Sequence, residues 1–236
     1  MEERHIRTTA RKAVRILILL AAVWISGGQN HVDAEKPEKE LEAEIDEILS
    51  GMTRKEKIGQ MFMVKPEALG ATAEVNRAMK ANYKKYPVGG INLKGNNIET
   101  PKQLKTFTKN IQKLSSKDVP MLIATDEEGG WVAELAENPN FPVKRYPSMR
   151  KIGDSGSAKK AMKAAENMGA YLKKYGINCD LAPVADIASN PDNEVIGNRS
   201  FGRNAGIVSK MVKAQVKDKL YKSYIARDIY KTKYSQ

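Results

Sequence analysis

Apolar and polar positions follow two different periods along this chain, and each change of period marks an element. Leu41, Ile45, Ile48 and Leu49 recur at helical spacing, and Thr53 followed by Glu56 forms a capping-box pattern that opens the next helix. Residues 58–64 (Ile-Gly-Gln-Met-Phe-Met-Val) read as the end of that helix running into a first buried strand, and residues 88–93 read as a second. Thr100 and Pro101 supply an N-cap and a proline at the first helical position, after which Leu104, Phe107, Ile111 and Leu114 form one apolar stripe. Residues 121–125 are a third strand. Residues 158–175 form a helix with Met162, Ala165, Met168 and Leu172 inward, ended by Gly176. Residues 178–187 are a fourth strand, and a last helix opens near Asn204 with Val208, Val212 and Val216 inward.

Apolar strands separated by amphipathic helices imply an α/β fold in which helical crossovers join parallel strands. The third and fourth strands both end in acidic residues, on the face where barrel enzymes place their sites. The expected architecture is a (β/α)8 TIM-barrel-type domain. A full barrel takes about 250 residues, so four strands within residues 35–218 correspond to about its first half.

The flanking segments have a different character. Arg4, Arg7, Arg11, Lys12 and Arg15 precede an apolar stretch, residues 16–25, too short for a comfortable membrane span but matched to the core of a secretory signal. Val32 and Ala34 offer a small-residue cleavage pattern before Glu35. Residues 1–34 are therefore expected to be a signal peptide or, alternatively, a short uncleaved anchor, and the rest of the chain is expected to be exported, outside the cell or on the outer face of the cytoplasmic membrane. Residues 219–236 form a basic, tyrosine-rich tail with Lys219, Lys222, Arg227, Lys231 and Lys233 against Asp228. The net charge of +12 is otherwise spread along helix faces as isolated lysine pairs, a distribution that does not point to nucleic acid.

Candidate chemistry narrows quickly. The two histidines, His5 and His31, lie in or beside the targeting segment, which removes histidine-based triads and histidine metal sites from the folded part. Cys179, the one cysteine, sits in an apolar context that favours a buried strand thiol over a nucleophile. What remains is the acidic end of the third strand, Asp126-Glu127-Glu128, followed by Gly129 and Gly130. On a continuous strand Asp126 and Glu128 share one face about 6.6 Å apart and Glu127 points to the other. Neighbours on one strand approach a ligand from the same side, whereas two carboxyl groups that share the breaking of a bond must flank it. No catalytic residue, metal ligand or cofactor site is assigned.

Three stretches, Ile123-Ala-Thr-Asp126-Glu-Glu-Gly-Gly130 with Val132, Leu181-Ala-Pro-Val-Ala-Asp186, and Val195-Ile-Gly-Asn-Arg199-Ser-Phe-Gly202, together resemble the N-terminal barrel domain of glycoside hydrolase family 3. Glu56-Lys-Ile-Gly-Gln-Met61 resembles the family's opening helix. The likeness is particularly to the family's bacterial β-N-acetylhexosaminidases. The resemblance implies that Asp126 hydrogen-bonds sugar hydroxyls and that Arg199 also contacts the substrate, roles suited to an ionised carboxylate and a guanidinium fork. A structural salt bridge is the alternative for each. It further implies retaining hydrolysis of terminal β-N-acetylglucosaminides, with a carbohydrate as partner, no cofactor, and the membrane met only through an uncleaved anchor.

The family motif carries arginine at two positions where this chain has Trp131 and Glu134. Trp131 could stack on a sugar face or close a core edge. The family's histidine-bearing acid/base loop and its nucleophilic aspartate follow further along than residue 218, and no such motifs occur here; the tail reads as truncated or out-of-frame sequence. Alternative readings are an inactive fragment, a carbohydrate-binding pseudoenzyme and a β-glucosidase-type member.

Overall fold

The computed structural model describes residues 38–116 and 119–216. The expected signal or anchor and the expected basic tail lie outside the described residues. Among those described, no helix is long and apolar enough to cross a membrane. The chain divides into two compact units, one up to Asn92 together with Lys109–Leu122, the other Leu93–Thr108 together with Ile123 onward.

The first unit opens with helix α1 (Glu38–Gly51), whose Ile45 and Leu49 are buried with Ile48 and Met52 against them. Helix α2 (Arg54–Gly59) starts at the expected capping box: Glu56 N donates to Thr53 Oγ1 at 3.2 Å, and Thr53 N donates to Glu56 Oε2 at 2.8 Å. The hydroxyl and amide of Thr53 hold the Glu56 carboxyl below its ordinary range. Strand β1 (Met63–Val64) follows, then a 3-10 turn (Pro66–Leu69), helix α3 (Arg77–Lys85) and strand β2 (Gly90–Asn92). β1 and β2 pair in parallel, Met63 opposite Gly90 and Val64 opposite Ile91. The expected first strand is thus cut to two half-buried residues. Ile58, Met61 and Phe62, read as its buried start, are each about half exposed, because α2 ends in a turn and the chain joins the strands only at Met63. An apolar run this short fits a turn as readily as a strand.

Helix α4 (Pro101–Gln112) and strand β3 (Leu122–Thr125) each run from one unit into the other. In the second unit, β3 is buried along its length and pairs in parallel with strand β6 (Cys179–Asp180), Ala124 opposite Cys179 and Thr125 opposite Asp180. Asn178 extends the ladder at one end, its Oδ1 accepting from Ile123 N at 2.7 Å, and Leu181 N extends it at the other by donating to Thr125 O. Strand pairing then stops well short of the expected residue 187. Pro183 has no N–H to give a ladder, and residues 182–188 run on as irregular chain.

Helix α5 (Met149–Asp154) and helix α6 (Ala158–Lys174) precede β6, and helix α7 (Ala205–Val216) closes the described chain. α6 buries Ala165, Met168 and Leu172 as expected, with Met162 half-buried, and Gly176 takes a φ of +79° beyond its end. In α7 the buried stripe is Val208, Met211 and Gln215, not Val208, Val212 and Val216. Steps of four residues drift about 40° each around a 3.6-residue helix, whereas steps of three and then four return to the same face.

Candidate active site at the end of β3

The site lies wholly in the second unit and begins with the rim of β3. Leu93 N donates to Ala124 O at 2.7 Å and Thr125 Oγ1 donates to Leu93 O at 3.0 Å. That pairing sets Lys94, one residue on, beside Asp126. The Lys94 ammonium forms an ion pair with Asp126 and lies 3.7 Å from Glu134 Oε1. The side chains of Asp126 and Lys94 keep 19% and 28% of their surface exposed, so the pair is reachable from solvent.

After Asp126 the chain forms a hairpin. Strand β4 (Glu127–Gly129) pairs antiparallel with strand β5 (Val132–Ala133), with a bulge between Glu127 and Gly129, and Glu134 N donates to Asp126 O at 3.1 Å across its base. Gly129 and Gly130 have φ of +85° and +74°, a region in which a β-carbon is strained, and this is what the paired glycines of the motif provide.

The three acids of the run have three separate fates. Asp126 meets Lys94. Glu128, buried, takes a bidentate fork from Arg199, Nε to Oε2 at 2.7 Å and Nη2 to Oε1 at 2.6 Å. Glu127 is fully buried and accepts from Leu135 N at 2.8 Å, Ala136 N at 3.1 Å and the Tyr171 hydroxyl at 2.7 Å. None of the three is therefore arranged as an acid/base partner of another. Arg199 thus makes a salt bridge with Glu128 at the rim, and its Nη1 also donates to Val195 O at 3.1 Å, which fixes the fork.

The second and third sequence motifs converge here. Arg199 ends a 3-10 turn (Gly197–Arg199), Ser200 Oγ donates to Asp186 O at 2.6 Å, and Ala188 N donates to Gly202 O. Arg150 on α5 holds the same loop by reaching Gly197 O and Ser200 O at 3.3 and 3.4 Å. Lys94, Tyr171 and Arg150 were not singled out from sequence. Lys94 alone left a signal, as the residue directly after the second strand and so at the same rim as Asp126.

Burial raises the Glu127 carboxyl above its ordinary range despite three donors, and burial raises Asp180, whose Oδ1 accepts from Glu127 N at 3.0 Å, well above its own. A carboxyl raised in the folded state binds protons that the unfolded chain has already released. Its stabilisation is therefore complete below the unfolded pKa of about 4 and declines as pH rises through the raised value. The urea midpoint is expected to fall from pH 4 to pH 8, and Asp180→Asn, which keeps an oxygen for Glu127 N, is expected to flatten that fall. Equal slopes for the two proteins would refute the assignment to Asp180. Among the described residues no group of three His, Cys, Asp or Glu side chains is placed to hold a metal ion.

The family model for the glycosyl hydrolase family 3 N terminal domain matches residues 53–223. The chain belongs to this family. Over 136 residues it is 34% identical to beta-hexosaminidase A of Pseudoalteromonas piscicida, an alignment covering 56% of this chain and 23% of that protein. It is similar in structure to a glycoside hydrolase family 3 beta-N-acetylglucosaminidase from Paenibacillus sp. str. FPU-7, with a TM-score of 0.63, 33% identity, and coverage of 70% of this chain and 30% of that one. It is also similar to NagZ from Neisseria gonorrhoeae in complex with N-trifluoroacetyl-D-glucosamine, with a TM-score of 0.55, 29% identity, and coverage of 65% and 44%. The family 3 fold is α/β of the (β/α)8 barrel type, in keeping with the parallel pairs described above. The chain spans between 23% and 44% of the length of these relatives.

Proposed function

We propose that this family 3 chain carries the sugar-holding part of a retaining β-N-acetylhexosaminidase, with Asp126 and Arg199 as the residues that meet a terminal β-linked N-acetylglucosamine. The observation that supports this most directly is the rim itself: a partly exposed carboxylate at the end of β3 and a fixed guanidinium reaching the following hairpin from the Gly197–Arg199 turn, each steadied by an opposite charge. A carboxylate has acceptor capacity beyond one ammonium, enough for vicinal hydroxyls, and a fork held by Glu128 loses little freedom when it donates to a ligand. The similar structures named as a beta-N-acetylglucosaminidase and as NagZ in complex with N-trifluoroacetyl-D-glucosamine support the choice of sugar. Hydrolysis of the glycosidic bond is proposed for the protein as a whole, because the described carboxylates form no acid/base pair. With residues 1–34 read as an export signal, the proposal extends to glycans outside the cytoplasm.

Calorimetry with N-acetylglucosamine, run beside a chromogenic β-N-acetylglucosaminide assay, tests the reading. Saturable binding is expected, and Asp126→Ala is expected to weaken it by about tenfold or more, as loss of a charge-assisted hydrogen bond costs about 1.5–3 kcal/mol. Binding that is unchanged in Asp126→Ala would overturn the assignment. Turnover by the chain alone, lost in the same variant, would give these carboxylates a catalytic role that the geometry withholds.

A further inference from the structure

Trp131 stands at the tip of the β4–β5 hairpin with 61% of its surface exposed, so among the described residues it closes no core edge. A single exposed ring is common on protein surfaces, so what distinguishes this one is how firmly it is held. The backbone beneath this one is fixed: Gly129 pairs with Val132, and Gly130 N donates to Tyr146 O at 3.0 Å. The ring is fixed as well. The Arg199 guanidinium lies 5.8 Å from its centroid, a cation–π distance, and that guanidinium is itself gripped by Glu128. Val195, 67% exposed, receives the third Arg199 bond through its carbonyl, which brings an exposed aliphatic residue to the same loop.

An exposed indole, an exposed valine and a guanidinium held together in this way present apolar area edged by hydrogen-bond donors. A pyranose has the complementary surface, with one face of C–H bonds and a rim of hydroxyls, and its weakly positive hydrogens suit the negative face of an indole. Position sets which sugar. Asp126 sits at the base of the hairpin and Trp131 at its tip, about 10 Å away along the strands, with Glu128 and the Arg199 that it grips on the way from one to the other. Resting on the reading that Asp126 holds the terminal N-acetylglucosamine, we propose that Trp131, backed by Arg199 and flanked by Val195, is the stacking platform for the next saccharide unit. The chain then selects a β-linked oligosaccharide over a lone monosaccharide.

The test titrates N-acetylglucosamine and N,N′-diacetylchitobiose into the full chain and into Trp131→Ala, Trp131→Phe and Asp126→Ala, with thermal melts to establish folding. The disaccharide is expected to bind wild type several-fold more tightly than the monosaccharide. Trp131→Ala is expected to weaken the disaccharide by roughly tenfold, the scale of a lost aromatic stack, and to leave the monosaccharide within about twofold. Trp131→Phe, which keeps an aromatic face, is expected to retain most of the preference. Disaccharide binding unaltered in Trp131→Ala, or both sugars weakened equally, overturns the platform; if Asp126→Ala still weakens both by about tenfold or more, the reading of the terminal site stands. A wild-type chain that binds neither sugar overturns both.

Discussion

Glu127→Ala is expected to cost about 3 kcal/mol or more, because it strands the N–H groups of Leu135 and Ala136 and the hydroxyl of Tyr171 in a buried site, each at about 1–3 kcal/mol. Against a typical total of about 5–15 kcal/mol, that is a large share of the stability of the fold. Glu127→Gln separates hydrogen bonding from packing. Its amide oxygen can replace Oε1, which serves Ala136 and Tyr171, but its NH2 then faces the Leu135 N–H, donor against donor. Its expected cost is about 1–3 kcal/mol, between wild type and alanine. Urea unfolding measures both; an alanine variant within about 1 kcal/mol of wild type would refute the network's importance. Sugar binding should fall with stability in this series, since Asp126 and Glu128 flank Glu127 in the chain.

Gly153→Ala carries the second large effect, with a sign opposite to that of helix propensity. In α5 an exposed glycine-to-alanine change would gain about 1 kcal/mol. Here a β-carbon would run into the backbone carbonyl of Phe201, which sits in a buried segment two residues after Arg199. Backbone cannot step aside as a flexible side chain can, and the expected loss is about 3 kcal/mol or more. The functional consequence is local: α5 also supplies Arg150, which holds Gly197 and Ser200 on either side of Arg199. The variant is expected to melt lower and to lose affinity for N-acetylglucosamine. A variant as stable as wild type would mean that α5 and the Arg199 loop do not meet at Gly153.

How far the site was legible in sequence depends on the kind of interaction. The Thr53–Glu56 cap and the buried residues 122–125 follow from local rules, and they stand as read. Asp126 and Arg199 could be picked out as candidates from the motifs, but their partners in space could not: Arg199 meets Glu128, and Asp126 meets Lys94. Those partners come from chain segments far apart in sequence, and no period or spacing encodes such a meeting. The alternation rule assumed one unbroken strand from Thr125 to Gly129. The chain instead leaves β3 at Asp126 and pairs again with β5 through a bulge, so the middle acid goes to the interior. Likewise the fourth strand was overextended because an apolar run can be buried without being paired.

Cys179 opens an unforeseen use. Its thiol is the only one in the chain, lies buried on β6 opposite Ala124, and is pushed up to about 12 by burial and the neighbouring Asp180 carboxylate. A thiol in that condition is silent toward alkylating reagents while β6 stays seated, and it reacts once water and base can reach it. The molecule thus holds a one-site recorder of its own openings, placed one residue from Asp180 and hence from the backbone of Glu127. The pace of labelling, with and without sugar, would tell whether a ligand at the rim quiets the strands beneath it.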